Sequence, residues 1–174
     1  MKHFLIVVDM QKDFVDGALG TAEAVAIVPA VVSKIENFDG EIFATFDTHG
    51  DNYMQTMEGK NLPVPHCIKG TPGWQLNRDV AAALEKRGFT PVEKTTFGAA
   101  GLPAVLANAA AGEPFDMELI GLCTDICVVS NALLLKAIFQ ETPIAVDAAC
   151  CAGVTPEKHE AALETMRSCQ IEVK

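Results

Sequence analysis

Short apolar runs alternate along the chain with longer segments whose apolar residues recur at helical spacing. The short runs, at residues 3–9, 41–46, 89–93, 117–122, 144–146 and 171–173, predict six strands. The helical patterns cover residues 22–37, 74–87, 103–110, 125–139 and 156–169. Because strands and helices alternate throughout, we expect an α/β domain with a mainly parallel sheet covered on both faces.

Charged residues follow several of the predicted strands where each strand ends. Asp9, Asp47, Lys94 and Asp147 come at or directly after apolar runs, and a Gly-Leu-Cys-Thr-Asp turn follows the fourth strand. In parallel sheets, ligand sites form outside the carboxyl ends of the strands, where the strand order reverses. We therefore expect a functional site at this edge of the sheet.

The segment 119–129 contains the strongest candidate for a nucleophile. Cys127 stands near the start of a long apolar helical pattern, where unpaired N–H groups and the helix dipole favour a thiolate and can hold an oxyanion. Asp9 and Lys94 are candidate partners, as a proton carrier and a positive charge. The alternative is a buried structural cysteine with a surface lysine and solvated carboxylates.

A second group of candidate residues begins at the end of the second strand. Asp47 and His49 are two residues apart and project in the same direction from an extended segment, and His66 follows in the long polar connection 48–73. These three side chains predict a divalent metal site, with Glu58 as a candidate fourth ligand. A pair of surface-loop histidines without metal is the alternative.

Composition and charge narrow the classes of protein and partner. The chain has 174 residues, of which 49% are hydrophobic and 21% charged, so we expect one globular domain over residues 1–174. A net charge of −10 disfavours binding to nucleic acid or to an anionic membrane. The first apolar run is too short for a signal peptide or a membrane span, which predicts a cytoplasmic protein whose six cysteines are reduced.

Three motifs in this order resemble those of the isochorismatase-like cysteine hydrolases, a family that includes the nicotinamidases. They are Val-Val-Asp-Met-Gln-Lys-Asp-Phe at 7–14, Glu-Lys before Phe-Gly at 93–98, and Gly-Leu-Cys-Thr-Asp-Ile-Cys-Val at 121–128. The resemblance implies a three-layer α/β/α sandwich with a six-stranded mainly parallel sheet. It also implies a catalytic triad of Asp9, Lys94 and Cys127, a cis bond between Leu122 and Cys123, and an oxyanion hole formed by the backbone amides of Cys123 and Cys127.

The same resemblance extends to the metal and to the substrate. Asp47, His49 and His66 correspond to the metal ligands of nicotinamidases; Glu58 remains a candidate fourth ligand, and zinc is the expected ion, with iron and manganese as alternatives. The ion would orient the ring of a small amide substrate. Phe14 and Trp74 are candidate contacts of that ring, with core packing as the alternative role. The family also implies a homo-oligomer.

The sequence therefore predicts a metal-containing cysteine amidohydrolase that converts nicotinamide to nicotinate and ammonia through a thioester on Cys127. Two alternatives stay open at this point. One is a cysteine hydrolase of the same family that acts on another amide, carbamoyl or ureido compound. The other is a domain that binds a metal or ligand on the same fold without catalysis.

Overall fold

A computed structural model describes residues 1–174 and contains one six-stranded, all-parallel sheet with the strand order β3-β2-β1-β4-β5-β6. The strands are β1 (Lys2–Val8), β2 (Glu41–Asp47), β3 (Thr90–Lys94), β4 (Phe115–Leu122), β5 (Ile144–Ala152) and β6 (Glu172–Val173). The helices are α1 (Lys12–Val15), α2 (Ala22–Asn37), α3 (Met57–Asn61), α4 (Arg78–Arg87), α5 (Leu102–Ala110), α6 (Val129–Ile138) and α7 (Pro156–Ser168). The predicted α/β class and six-stranded sheet are confirmed.

The sheet has a hydrophobic core on each face, which explains the continuous apolar run of β1. Phe4, Ile6 and Val8 point to one face and pack with apolar residues of α5, α6 and α7. Leu5 and Val7 point to the other face and pack with apolar residues of α2 and α4. Because successive strand side chains point to opposite faces, both parities must be apolar when both faces are covered. The result is the three-layer arrangement expected from the sequence.

The strand order reverses between β1 and β4, the two central strands. Their parallel register aligns Val8 with Gly121, so both strands end at the same level. Gly121 has φ +116°, and a Cβ at this position would collide with the carbonyl oxygen of Val8. A glycine is therefore required for this close approach of the two backbones. The residues that follow β1 and β4 meet at the switch point.

The helix boundaries agree with the sequence pattern except at the starts of α4 and α6, and the short helices α1 and α3 were not predicted; α6 begins at Val129, after a π-helical turn, whereas the pattern predicts a helix from 125. The segment 72–74 forms a separate 3₁₀ turn, and α4 begins only at Arg78, whereas the periodicity predicts a helix from 74. Asn77 caps this helix, because its side-chain oxygen accepts hydrogen bonds from the N–H groups of Asp79 and Val80. None of the helices combines the length and the apolar composition needed to cross a bilayer.

The prediction that the fifth strand ends at Asp147 is wrong, since β5 continues to Ala152. The pairing of β4 with β5 shifts register between Leu119 and Gly121, and Gly121 then pairs with Cys151. This irregularity allows residues 147–152 to continue the strand. The carboxylate of Asp147 instead lies 2.7 Å from the amine of Lys34 on α2. Asp147 therefore takes no part in the candidate site.

Candidate active site

The structure brings Asp9, Lys94 and Cys127 together at the carboxyl edge of the sheet. Asp9 follows β1, Lys94 is the last residue of β3, and Cys127 lies in the turn after β4. The Lys94 Nζ is 2.8 Å from Asp9 Oδ2 and donates a hydrogen bond of 3.4 Å to Cys127 Sγ. All three residues are buried, so their charges and protons interact with little screening by water.

Asp9 has one oxygen that is held and one that is available. The hydroxyl of Thr45 donates to Asp9 Oδ1 at 2.6 Å, and the same oxygen atom of Thr45 accepts from the Asp9 N–H at 3.2 Å. Oδ2 accepts no well-aligned hydrogen bond, although the Lys94 amine lies nearby. Burial raises the pKa of Asp9, and Lys94 opposes this shift. Asp9 is therefore suited to take up and release a proton through Oδ2.

Lys94 connects the two groups of polar residues in the site. Besides its contacts with Asp9 and Cys127, its amine donates to Asp47 Oδ1 at 3.2 Å and to the carbonyl of Thr96 at 3.0 Å. Burial alone would lower the pKa of Lys94, but the negative charge of Asp9 and the other acidic neighbours raises it above its usual value. Lys94 therefore carries a fixed positive charge.

The surroundings of Cys127 favour the neutral form of its thiol. Burial, followed by the charge of Asp9, raises the pKa of Cys127 well above its usual value, while Lys94 acts in the opposite direction. Burial of the sulfur therefore works against the thiolate that a position near a helix N-terminus favours. The thiol needs a nearby base, and Asp9 is the adjacent carboxylate.

The turn that carries Cys127 exposes backbone donors. The bond between Leu122 and Cys123 is cis, as the family resemblance implies. Residues Thr124–Val128 form a wide π-helical turn. The carbonyl of Cys123 accepts hydrogen bonds from the N–H groups of Ile126 and Val128, each at 3.0 Å, but not from the N–H of Cys127. The N–H of Cys123 donates to no protein acceptor. A backbone N–H without a protein acceptor, four residues before Cys127, is a donor that an oxyanion hole requires.

The four candidate metal ligands form one cluster. One ligand atom from each of Asp47, His49, Glu58 and His66 lies within 4.8 Å of all the others. The Nδ1 of His66 is 2.8 Å from the carbonyl oxygen of Val64, which makes Nδ1 the protonated donor and turns the Nε2 lone pair towards the cluster. Two imidazoles and two carboxylates form a donor set that suits zinc and similar divalent ions.

The surroundings of Asp47 favour its ionised form, which suits binding of a cation. Burial opposes ionisation of Asp47, but hydrogen bonds with His49 and His66 and the charge of Lys94 hold its pKa below the usual range. The Nε2 atoms of His49 and His66 lie 3.0 and 3.4 Å from Asp47 Oδ2, and each is 3.6 Å from Glu58 Oε1. The residues therefore fit a divalent metal ion in both charge and donor type.

Gln11 and Asp13, in the motif at 7–14, hold the segments that carry the metal ligands in place. The side chain of Gln11 donates to the carbonyl of Asp47 and accepts from its N–H, both at 2.8 Å, which fixes the backbone at the end of β2. Asp13 accepts a 2.8 Å hydrogen bond from the N–H of Cys67, the residue after His66. The long connection is thus attached to the segment after β1, even though its sequence lacks a sustained apolar period.

A small cavity reaches both the metal cluster and the thiol. Its lining comprises Phe14, Leu19, Leu62, Phe97, Ile126 and Cys123 together with Asp47, Glu58, His66 and Cys127. The ring centroid of Phe14 is 5.4 Å from that of His66. Apart from the metal ligands and thiols, the walls are apolar, so the cavity suits a small flat apolar group.

Trp74, the other aromatic candidate, lies elsewhere. Its ring packs against Phe46 with a centroid distance of 5.6 Å, and its indole N–H donates to the hydroxyl of Thr48 at 2.9 Å. Trp74 is not part of the cavity lining. The structure thus brings Phe14 to the cavity and leaves Trp74 in a supporting position behind β2.

Two buried polar residues at the site escaped the sequence analysis. Thr45 binds Asp9 from within β2, and Asn131 on α6 donates to the carbonyl of Cys127 at 2.8 Å and accepts from the N–H of Ala99 at 2.8 Å. Each interrupts an otherwise apolar run, which is the signal that marks a polar residue inside a core. Only the three-dimensional contacts show what each one binds.

Comparisons with known proteins agree with this geometry. The model of the isochorismatase family, described as the Isochorismatase domain, matches residues 3–173 of this chain. The nicotinamidase/pyrazinamidase of Mycobacterium tuberculosis is 28% identical over 97% of this chain and 96% of its own. The crystal structure of nicotinamidase PncA from Bacillus subtilis has a TM-score of 0.85 at 29% identity, with 99% of each chain covered. A zinc complex of Pyrococcus horikoshii pyrazinamidase has a TM-score of 0.80 at 28% identity, covering 100% of this chain and 99% of that one. The chain therefore belongs to the isochorismatase family and is an amide hydrolase of the nicotinamidase-like type.

Proposed function

We propose that the protein is a metal-containing cysteine amidohydrolase that converts nicotinamide to nicotinate and ammonia through a thioester on Cys127. One observation carries the proposal: Cys127 lines the same small apolar cavity as Asp47, Glu58 and His66, three of the four members of the metal cluster. A flat heteroaromatic amide needs both a nucleophile for its carbonyl and a group that orients its ring. The cavity offers both.

The first half of the reaction forms the thioester. Asp9 takes the proton of Cys127, and the resulting thiolate attacks the carbonyl carbon of the amide. The N–H groups of Cys123 and Cys127 stabilise the oxyanion that develops. Asp9 then gives the proton to the amide nitrogen, the C–N bond breaks, and ammonia leaves. The raised pKa of Asp9 suits both proton transfers, since the group must accept and release a proton.

The second half hydrolyses the thioester. Asp9 removes a proton from a water molecule, whose oxygen attacks the thioester carbonyl, and the same backbone donors hold the second oxyanion. The C–S bond then breaks, the sulfur of Cys127 recovers a proton from Asp9, and the acid is released. Lys94 stays protonated throughout and compensates whichever of its two neighbours is negative.

Asp47, His49 and His66 would hold the divalent ion, with Glu58 as a fourth ligand. When bound, this ion supplies a Lewis-acid position that can bind a ring nitrogen of the substrate. The zinc complex of the Pyrococcus horikoshii pyrazinamidase supports zinc as the ion. Phe14 contacts the ring from the cavity wall, and we assign no substrate contact to Trp74.

The apolar walls favour an aromatic amide over a carbamoyl or ureido compound. Such polar substrates carry several donors and acceptors, and leaving these unpaired in a buried site is unfavourable. Beyond the metal ligands and thiols, the cavity wall consists of Phe14, Leu19, Leu62, Phe97 and Ile126. We therefore expect weak or undetectable turnover of carbamoyl and ureido compounds.

Ammonia release from a panel of amides tests this function. Nicotinamide and pyrazinamide should be hydrolysed, whereas benzamide, which lacks the ring nitrogen, should react slowly. Cys127→Ala should reduce turnover by at least about 1,000-fold without loss of the fold, because it removes the proposed nucleophile. The matched control is Cys169→Ala, which alters an exposed cysteine and should retain full activity. Retained turnover in Cys127→Ala, or a preference for ureido substrates, would refute the proposal.

A further inference from the structure

A hydrogen bond joins the nucleophile turn to the last helix. The hydroxyl of Thr124 lies 2.7 Å from Nδ1 of His159, in the first turn of α7. Thr124 is fully buried and directly follows Cys123, whose backbone N–H has no protein acceptor. The contact therefore holds the turn next to one of the two proposed oxyanion donors.

A second contact attaches the same turn to the same region. Asp125 Oδ1 accepts a 2.9 Å hydrogen bond from the N–H of Val154, in the connection between β5 and α7. The packing here is close, because a Cβ at Gly153 would lie 2.7 Å from the backbone nitrogen of His159 and 3.0 Å from Asp125 Oδ1. Two consecutive residues of the turn are thus attached to α7 and to the connection before it, which limits rotation of the peptide planes between them.

The helix that carries His159 is a rigid support. Leu163 and Met166 of α7 are buried in the core beneath the turn, together with Cys127 and Val128. Thr155 caps the helix by accepting from the N–H of Lys158 at 3.3 Å. Since α7 is anchored by its own core contacts, a side chain in its first turn can fix the position of the nucleophile turn.

None of Thr124, Asp125 and His159 lines the cavity. They therefore contribute no direct contact to a bound substrate. They contact the segment whose backbone would meet the oxyanion, and an oxyanion hole works only when its donors are oriented in advance. A residue with this placement should influence the transition state more than the ground state.

We propose that His159 is a positioning residue that acts through Thr124 to hold the Cys123–Cys127 turn in the geometry of an oxyanion hole. This inference rests on the proposed function, in which the backbone amides of Cys123 and Cys127 stabilise the oxyanion. His159 makes no contact with the reacting atoms in this role.

Kinetics on a set of variants test the role. His159→Ala and Thr124→Val remove the hydrogen bond, whereas His159→Asn and Thr124→Ser keep a polar atom near the same position. We expect His159→Ala and Thr124→Val to lower kcat for nicotinamide about tenfold and to leave KM within about twofold, a smaller loss than removal of a donor itself causes. The conservative variants should recover most of the lost kcat. His3→Ala is the control, since His3 is hydrogen-bonded to Asp116 on β4, away from the site.

A transition-state mimic separates positioning from general structural damage. Pyridine-3-carbaldehyde accepts the sulfur of Cys127 at its carbonyl carbon, so that a C–S bond forms, the C=O electron pair moves to oxygen, and Asp9 receives the thiol proton. The product is a tetrahedral adduct whose oxyanion lies in the proposed hole, whereas nicotinate is a planar carboxylate that forms no bond to the sulfur and resembles the product of the hydrolysis, not the transition state. His159→Ala should weaken inhibition by the aldehyde about tenfold and leave inhibition by nicotinate within about twofold.

The possible results distinguish this inference from the proposed function. A His159→Ala protein that matches His3→Ala in kcat and in aldehyde inhibition would overturn the positioning role, as would equal weakening of the aldehyde and nicotinate. Should His159→Ala fail to fold, His159→Asn and Thr124→Ser still apply, and a tenfold loss of kcat in both despite a retained polar atom would overturn it. Wild-type protein that releases no ammonia from nicotinamide would refute the proposed function, while calorimetric binding of the aldehyde and of nicotinate to wild type and His159→Ala would still test the turn.

Discussion

Lys94→Met should destabilise the protein strongly as well as inactivate it. The Lys94 amine lies 2.8 Å from Asp9 and 3.2 Å from Asp47, and the side chains of these carboxylates are only 0% and 5% exposed. Methionine fills a similar volume but leaves two buried carboxylates without their common cation. Breaking a buried ion pair from one side costs about 3–5 kcal/mol. At about 2–4 °C per kcal/mol for a chain of this size, the loss corresponds to about 6–20 °C in Tm.

The protonation of Asp9 should make the stability loss of Lys94→Met depend on pH. Burial already raises the pKa of Asp9, and loss of the Lys94 charge will raise it further above its value in the unfolded chain. A group whose folded-state pKa is raised binds more protons in the folded protein, so stability decreases as pH rises through and above the unfolded value. The deficit of Lys94→Met should therefore be smaller near pH 5 than near pH 8.

Urea denaturation followed by circular dichroism, at equal metal content, measures these effects. Asp9→Asn in the Lys94→Met background should recover at least about 2 kcal/mol, since a neutral amide needs no counter-charge, but it should not restore ammonia release. Lys69→Met is the matched control, because Lys69 pairs with Glu93 on the surface at 2.7 Å and should contribute less than about 1 kcal/mol. Lys94→Met within about 1 kcal/mol of wild type, or a double variant no more stable than the single one, would refute the reasoning.

The metal cluster, a partly buried ion-pair network around Glu118 and the cavity wall give three further predictions. His49→Ala and His66→Ala should each lower the metal content measured by elemental analysis, whereas His3→Ala should not; an unchanged metal content would place the ion elsewhere. Burial opposes the charge of Glu118, but hydrogen bonds from Lys174 and Lys34, at 2.7 and 2.5 Å, hold its pKa below the usual value, so its contribution to stability is present above about pH 5 and is lost as pH falls. Glu118→Gln should therefore make stability less dependent on pH below about pH 5, and identical acid-unfolding curves would contradict this assignment. Phe14→Leu should raise KM for nicotinamide several-fold while Trp74→Leu changes it less than about twofold, because only Phe14 lines the cavity; equal effects on KM would count against the assignment.

Much of the fold follows from local patterns that a sequence displays directly. The two-sided apolar run of β1 and the helical spacing of α2 correspond to burial on both faces of a sheet, and the structure confirms both elements. The motifs also identified the polar residues after β1, β2 and β4 as candidates, since parallel strands end at one edge. These patterns succeed because periodicity depends on neighbours in the chain.

Other features depend on contacts between distant segments, and the sequence alone misjudged them. Asp147 was expected at the end of a strand, but the register shift between β4 and β5 extends the strand past it. The aromatic candidates Phe14 and Trp74 look equivalent in the sequence, and only the packing of the long connection separates them. Register and packing of this kind are decided by interactions across the sheet.

The chemistry of Cys127 shows most clearly which properties the sequence determines and which the tertiary structure decides. The sequence identified the residue, its neighbours in the motif and its place at the start of a helix. The tertiary structure decided that burial raises the pKa of the thiol and that the Asp9 carboxylate and the Lys94 amine lie beside it. It also revealed the contact from Thr124 to His159, which are 35 positions apart in the chain. Desolvation and hydrogen bonding depend on what surrounds a group in three dimensions, and no local pattern records those surroundings.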